Sequence, residues 1–128
     1  MHTRLITLLI VATALSLSGC ASDSNMMNVQ TMYTASGKAS PESVTQAILN
    51  ACGANGWKPS IAGPGRIIAF RHSGGHAAKV DISYTSESFT IQYLDSDNMG
   101  YDGKHISDLY NQWVDELRSA IKSRLMQL

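Results

Sequence analysis

The apolar pattern of this chain predicts an α+β fold. The expected form is a two-layer sandwich: an antiparallel meander of three to four strands, covered on one face by two helices, in the order α-β-β-β-β-α. Three observations predict it. Apolar residues recur at helical spacing in two segments, residues 44–52 and 106–125. Between these segments the residues alternate apolar and polar with a period of two, as half-buried strands do. The links between the alternating segments are short and rich in Gly, Pro and Ser, which makes neighbouring strands antiparallel.

The first helix is expected to begin at Ser40-Pro41-Glu42. Ser40 can cap the free N–H groups, Pro41 suits the first helical position, and Glu42 complements the positive end of the dipole. Val44, Ala47, Ile48, Ala51 and Cys52 then form one apolar stripe, and Gly53 or Gly56 stops it. Residues 57–62 read as a weak strand, and Pro59 assigns it to a sheet edge. Gly63-Pro64-Gly65 is a turn, and residues 66–72 form the next strand. In residues 77–84, Ala78, Val80, Ile82 and Tyr84 alternate with Lys79, Asp81 and Ser83. After the turn at Thr85-Ser86-Glu87-Ser88, Phe89, Ile91 and Tyr93 alternate with Thr90 and Gln92. The closing helix carries Ile106, Leu109, Tyr110, Trp113, Val114, Leu117, Ile121 and Leu125 on one face, over about five turns. Its basic residues lie toward the C-terminal end, as the macrodipole favours. Trp57 and Trp113 are expected to pack between the layers.

The N-terminus has a different character. Arg4 precedes an apolar run from Leu5 to Leu17, too short for the ~20 residues that span a bilayer. Leu17-Ser18-Gly19-Cys20 follows. This pattern resembles the signal and lipobox of bacterial lipoproteins. The resemblance implies cleavage before Cys20, diacylglycerol on its sulfur and acylation of the new N-terminus. Three acyl chains anchor firmly where one holds only marginally. Ala21 and Ser22 lack the Asp at the second position that retains lipoproteins at the inner membrane. The same family rule therefore implies an outer-membrane anchor facing the periplasm. The expected organisation is a signal peptide over residues 1–19, a lipidated Cys20 with a flexible tether over 20–39, and an α+β domain over 40–128. Val29, Thr31 and Tyr33 alternate, so a short strand within the tether is an open alternative.

Composition sets limits on function. Of 128 residues, 44% are hydrophobic and 16% charged, which places the chain among globular proteins rather than disordered ones. Ten basic residues balance ten acidic ones without a basic cluster, so nucleic acid is not an expected partner. Of two cysteines, Cys20 is assigned to lipid. Cys52 then has no disulfide partner and reads as a buried thiol on its apolar stripe.

A wider likeness lies in Trp57, Gly65-Arg66-Ile67-Ile68-Ala69, His76, Val80-Asp81-Ile82-Ser83-Tyr84, Ile91-Gln92-Tyr93, Asp95-Ser96 and the run holding Tyr110-Asn111-Gln112-Trp113-Val114. Over roughly residues 40–125 the chain is similar to a family of small proteobacterial envelope proteins, mostly lipoproteins. The resemblance implies this fold order and an envelope location, and it supplies no catalytic residues.

The sequence offers few groups for chemistry. His72 and His76 flank a Ser73-Gly74-Gly75 connection, and by parity with Ile68 and Val80 they are expected on one side of the sheet. With His105 they form a candidate metal- or small-ligand-binding set, although zinc wants three or four convergent ligands. Asp95-Ser96-Asp97-Asn98-Met99-Gly100 opens like a calcium loop, but Met99 and Ile106 occupy ligand positions, so turn chemistry is the better reading. No nucleophile elbow, phosphate loop or zinc motif is present. The outward sheet face, assigned by parity, carries Ile67, Ala69, Arg71, Lys79, Asp81 and Leu94, and it is the candidate interaction face. The expected function is that of a non-enzymatic, cofactor-free module, held to a membrane through Cys20 and binding another envelope protein.

Overall fold

The computed structural model describes residues 23–33 and 39–128. The lipobox residues 17–20 lie outside the described residues. Among the described residues nine elements follow in order: β1 (Asp23–Asn25), β2 (Val29–Met32), α1 (Pro41–Ala54), β3 (Lys58–Gly63), β4 (Arg66–Ser73), β5 (His76–Tyr84), β6 (Ser88–Asp97), β7 (His105–Ser107) and α2 (Asp108–Leu125). A five-stranded antiparallel sheet runs β2-β6-β5-β4-β3, and β1 pairs with β7 as a separate two-stranded ribbon. The α+β class of the sequence reading therefore holds. The order and strand count differ, because β1, β2 and β7 add to the four expected strands.

The helix ends form as the caps dictate. Ser40 accepts a hydrogen bond from the Ser43 N–H at 3.1 Å, with Pro41 following it. At α2, Ser107 accepts from the Leu109 N–H at 3.3 Å, Asp108 lies in the first turn, and Lys122 and Arg124 lie in the last. Ile106 is expected in the helix but belongs to β7. It is fully buried there, so its apolar character fits both assignments. Val44, Ala47, Ile48, Ala51 and Cys52 of α1 are buried, as are Tyr110, Trp113, Val114, Leu117, Ile121 and Leu125 of α2. Both stripes join one core with the inner sheet face, which carries Ile67, Ala69, Val80, Ile82, Phe89 and Ile91.

The parity of β4 corrects the sequence reading. Ile67 and Ala69 are fully buried rather than outward. Two consecutive residues with positive φ, Gly74 at 60° and Gly75 at 80°, make a two-residue hairpin turn. The turn sets Ser73 opposite His76, and Ile67 and Ala69 then fall opposite the inward Ile82 and Val80. Arg71 also turns inward, with its guanidinium 4.4 Å from the centre of the Trp113 ring. Ile68 and Phe70 take the outward places beside Lys79 and Asp81. Leu94 is exposed at a bulge between the pairs Lys79↔Asp95 and Val80↔Tyr93. On the outer face Arg66 grips the Asp81 carboxylate with a two-pronged hydrogen bond, the shortest at 2.8 Å.

The described part of the expected tether is integral to the fold. Val29 is 5% exposed and Tyr33 6%. Tyr33 Oη donates to the Thr85 carbonyl at 2.7 Å, and its N–H donates to the Glu87 carbonyl at 3.0 Å. Asn111 clamps the β1–β2 link, accepting from the Met27 N–H at 2.8 Å and donating to the Asn25 carbonyl at 3.0 Å. A chain that starts at residue 34 should therefore lose roughly 3 kcal/mol or more, the order expected for uncovering two large side chains and the sheet edge. Urea unfolding checks this, and unchanged stability would mean that residues 23–33 are a spacer after all.

Candidate functional site

A groove opens where the first turns of α1 stand over the ends of β3, β4 and β5. Its volume is about 780 Å³, within the ~300–1,000 Å³ typical of pockets that accept a small ligand or a few side chains. α1 contributes Pro41, Glu42, Thr45, Gln46 and Leu49, with Val44 beneath them. Ile61, Pro64 and Gly65 of the β3–β4 turn form the facing wall, and Tyr84, Thr85 and Ser86 close one end.

Each wall has a local cause. The β3–β4 link turns tightly because Gly65 adopts φ 67°. Its carbonyl accepts the Tyr84 N–H at 2.9 Å, and a Cβ on Gly65 would sit 2.8 Å from the Tyr84 carbonyl oxygen. Only glycine satisfies both demands. Thr45 Oγ1 donates to the Pro41 carbonyl at 2.9 Å, so at 2.8 Å from Tyr84 Oη it accepts that phenolic hydrogen. The Thr45 and Tyr84 hydroxyls are thus occupied with each other and the backbone. Among the lining residues Glu42 is the one carboxylate, and it stands exposed at the helix N-terminus. Ile61 projects a large aliphatic side chain that is 62% exposed. A site made this way offers apolar contact rather than acid–base chemistry, which needs paired titratable groups.

The groove adjoins β3, the outer strand of the sheet. Pro59 removes one donor from that strand, and the register shifts between Ile61 and Gly63. Both devices blunt a sheet edge against a further strand. The edge therefore disfavours strand addition.

The histidines of the sequence reading do not converge. His72 lies opposite Ala77 on the outer side of the hairpin, whereas His76, opposite Ser73, has the inward parity of Ala78 and Val80. The expectation of one shared side fails because a two-residue turn places residues 72 and 76 on opposite faces. His76 Nδ1 lies 2.7 Å from the Asn98 carbonyl, and His105 Nδ1 lies 3.1 Å from Asp102. Among the described residues no group of three or more His, Cys, Asp or Glu side chains is placed to hold a metal ion. Asp102 also accepts the His105 and Lys104 N–H groups, and these bonds hold its carboxyl down at about 2. Asp95 and Asp97 lie within β6, and Met99 is buried.

Cys52 is fully buried, and desolvation pushes its thiol up from 9.0 to about 12. Trp57 meets Trp113 edge-on, with centroids 6.3 Å apart at 83°, in the layer where both were expected. The sequence reading missed the groove because its walls come from a turn, a helix start and a strand end, none of which carries a motif. The one available signal was Ile61, an aliphatic residue in an edge strand beside a Gly-Pro-Gly turn.

Comparison with protein-family models, with curated proteins and with solved structures gave no match. The functional reading therefore rests on the chain's own geometry.

Three measurements test this description. Gly65→Ala should cost roughly 1–3 kcal/mol through positive φ and the close carbonyl, while Gly63→Ala, which meets nothing within 4 Å, should cost far less. Cys52 should resist thiol reagents at pH 8 until the chain unfolds. Its raised value also favours the protonated folded form, so its contribution to stability is intact below pH 9 and declines as the pH rises toward 12. A Cys52→Ala variant should show a shallower alkaline loss in denaturant titrations.

Proposed function

We propose that this chain is a lipid-anchored envelope protein that binds a second envelope protein by receiving its apolar side chains in the groove between α1 and the β3–β4 turn. The anchor is diacylglycerol on Cys20, in the outer membrane and facing the periplasm. The single observation that carries the binding role is Ile61. An aliphatic side chain left open on the wall of an otherwise apolar groove stands where a partner's side chains remove it from water. The lining argues for binding rather than catalysis, since the Thr45 and Tyr84 hydroxyls bond each other and the backbone and Glu42 is the one carboxylate among the lining residues. The blunted edge of β3 argues for side-chain docking over sheet extension. No helix among the described residues is long and apolar enough to cross a membrane, and a lipid anchor needs none.

A photo-crosslinking residue at position 61, in the full-length chain in its host, should yield one discrete protein adduct. The same residue at Gln30, on the outer sheet face, should not. Ile61→Glu should abolish the interaction while leaving the unfolding midpoint nearly unchanged, because the side chain is already largely in solvent. A folded, membrane-bound protein that gives no adduct at position 61 contradicts the groove as the binding site. Cys20→Ser should release the folded protein from the membrane fraction, and a variant that stays membrane-bound overturns the lipid anchor.

A further inference from the structure

We infer that residues 98–104 form a membrane-resting lip that seats Tyr101 at the headgroup level and points the groove away from the bilayer. This inference rests on the lipid anchor proposed for Cys20. It begins with a length. β1 starts at Asp23, so only Ala21 and Ser22 separate the anchor from paired backbone. Whatever conformation they take, three residue steps span at most about 11 Å. The groups around Asp23 are therefore held within that distance of the lipidated sulfur's backbone.

β1 itself does not swing free of the domain. Asp23, Ser24 and Asn25 pair with Ser107, Ile106 and His105. Ser24 Oγ bonds the Asp108 carboxylate, and the Met26 N–H donates to the Lys104 carbonyl at 3.0 Å. A short leash on a pinned strand fixes which end of the domain meets the membrane. Beside that strand lies the lip: a Cβ on Gly100 would come within 4.0 Å of Asp23 Oδ1.

Tyr101, the next residue, is 39% exposed. Its ring stacks on Tyr93 at 4.1 Å, and Tyr93 in turn meets Tyr110 edge-on at 5.6 Å. The exposed ring is thus preorganised on an aromatic column that runs through half-buried Tyr93 to buried Tyr110. Tyrosine is suited to the membrane interface, with an apolar body and a polar tip. Asp102 holds the lip's shape through the Lys104 and His105 N–H groups at 2.9 and 2.6 Å. Asp23, Asp102 and Asp108 outnumber Lys104 and His105 at this end, so the matching surface is one of zwitterionic headgroups rather than anionic ones. The groove lies at the opposite end of β5 and β6. The ten residues of β6 separate the two ends by about 30 Å.

The test uses the full-length, lipid-modified chain reconstituted in phosphatidylcholine vesicles that carry a shallow quencher lipid. Cys20 is capped and Cys52 is buried, so a fluorescent thiol label reports only an introduced cysteine. Labels go on Lys104→Cys in the lip and on Ser86→Cys at the groove end. The lip label should be quenched several-fold more than the groove label, and adding Tyr101→Ser to the Lys104→Cys chain should reduce that quenching. Equal quenching at both positions, in protein whose intact mass shows the acyl chains and which floats with the vesicles, overturns the lip alone. A mass without acyl chains, with no flotation, overturns the lipid anchor and the lip together.

Discussion

The Gly74-Gly75 turn fixes the register on which the rest of the domain depends. Both residues hold positive φ, and two such residues in a two-residue link match the twist of the strands on either side. With Ser73 opposite His76, every later pair of β4 and β5 follows. That arithmetic delivers Ile67 and Ala69 to the helices and brings Arg71 over Trp113. It leaves Ile68 half-buried and Phe70 exposed on the outer face, opposite Asp81 and Lys79. A slip of one residue would exchange these sets and bury Phe70 and His72 in place of Ala69 and Arg71.

The same turn explains where sequence reading succeeded and where it failed. β5 and β6 alternate cleanly, so one parity is apolar and the inward face follows directly. β4 does not, because Arg66-Ile67-Ile68-Ala69-Phe70 is apolar at both parities. Periodicity alone cannot choose between them, and only the turn arithmetic does. The helices were legible for a different reason. Ser40 with Pro41, and the grouping of Lys122 and Arg124 at the end of α2, are local chemistry that needs no partner. β1, β2 and β7 were hard to read because they are short and polar on one side. Their stability comes from partners that lie about 60 or more residues away in sequence. Asp23–Asn25 has no buried residue of its own and persists through pairing with His105–Ser107.

The polar groups follow the same division between local and distant causes. Thr45, Tyr84 and the Pro41 carbonyl satisfy one another across two elements, α1 and β5. Asp102 folds its own loop by accepting two N–H bonds, and this holds its carboxylate ionised across the physiological range. Neither arrangement is visible in a motif. Each becomes apparent only once the strands are in register, and for the same reason the convergence of His72 and His76 expected from parity dissolved.

The two ends of the domain then acquire different physical characters. At one end, β1, β7 and the lip hold an exposed aromatic on a stacked column, amid acidic side chains. At the other, α1 and the β3–β4 turn frame an apolar groove with one carboxylate at its rim. A long flexible spacer would make this polarity irrelevant, because a domain on a floppy leash samples all orientations. Pairing that begins at Asp23 removes that freedom. On the proposed anchor, the leash is shorter than the domain by nearly threefold, about 11 Å against about 30 Å. A rigid body held this closely cannot turn its far end to the bilayer without lifting the paired strand away from the lipid that anchors it. On that proposal the groove faces away from the bilayer, and a protein docking there would meet it already oriented.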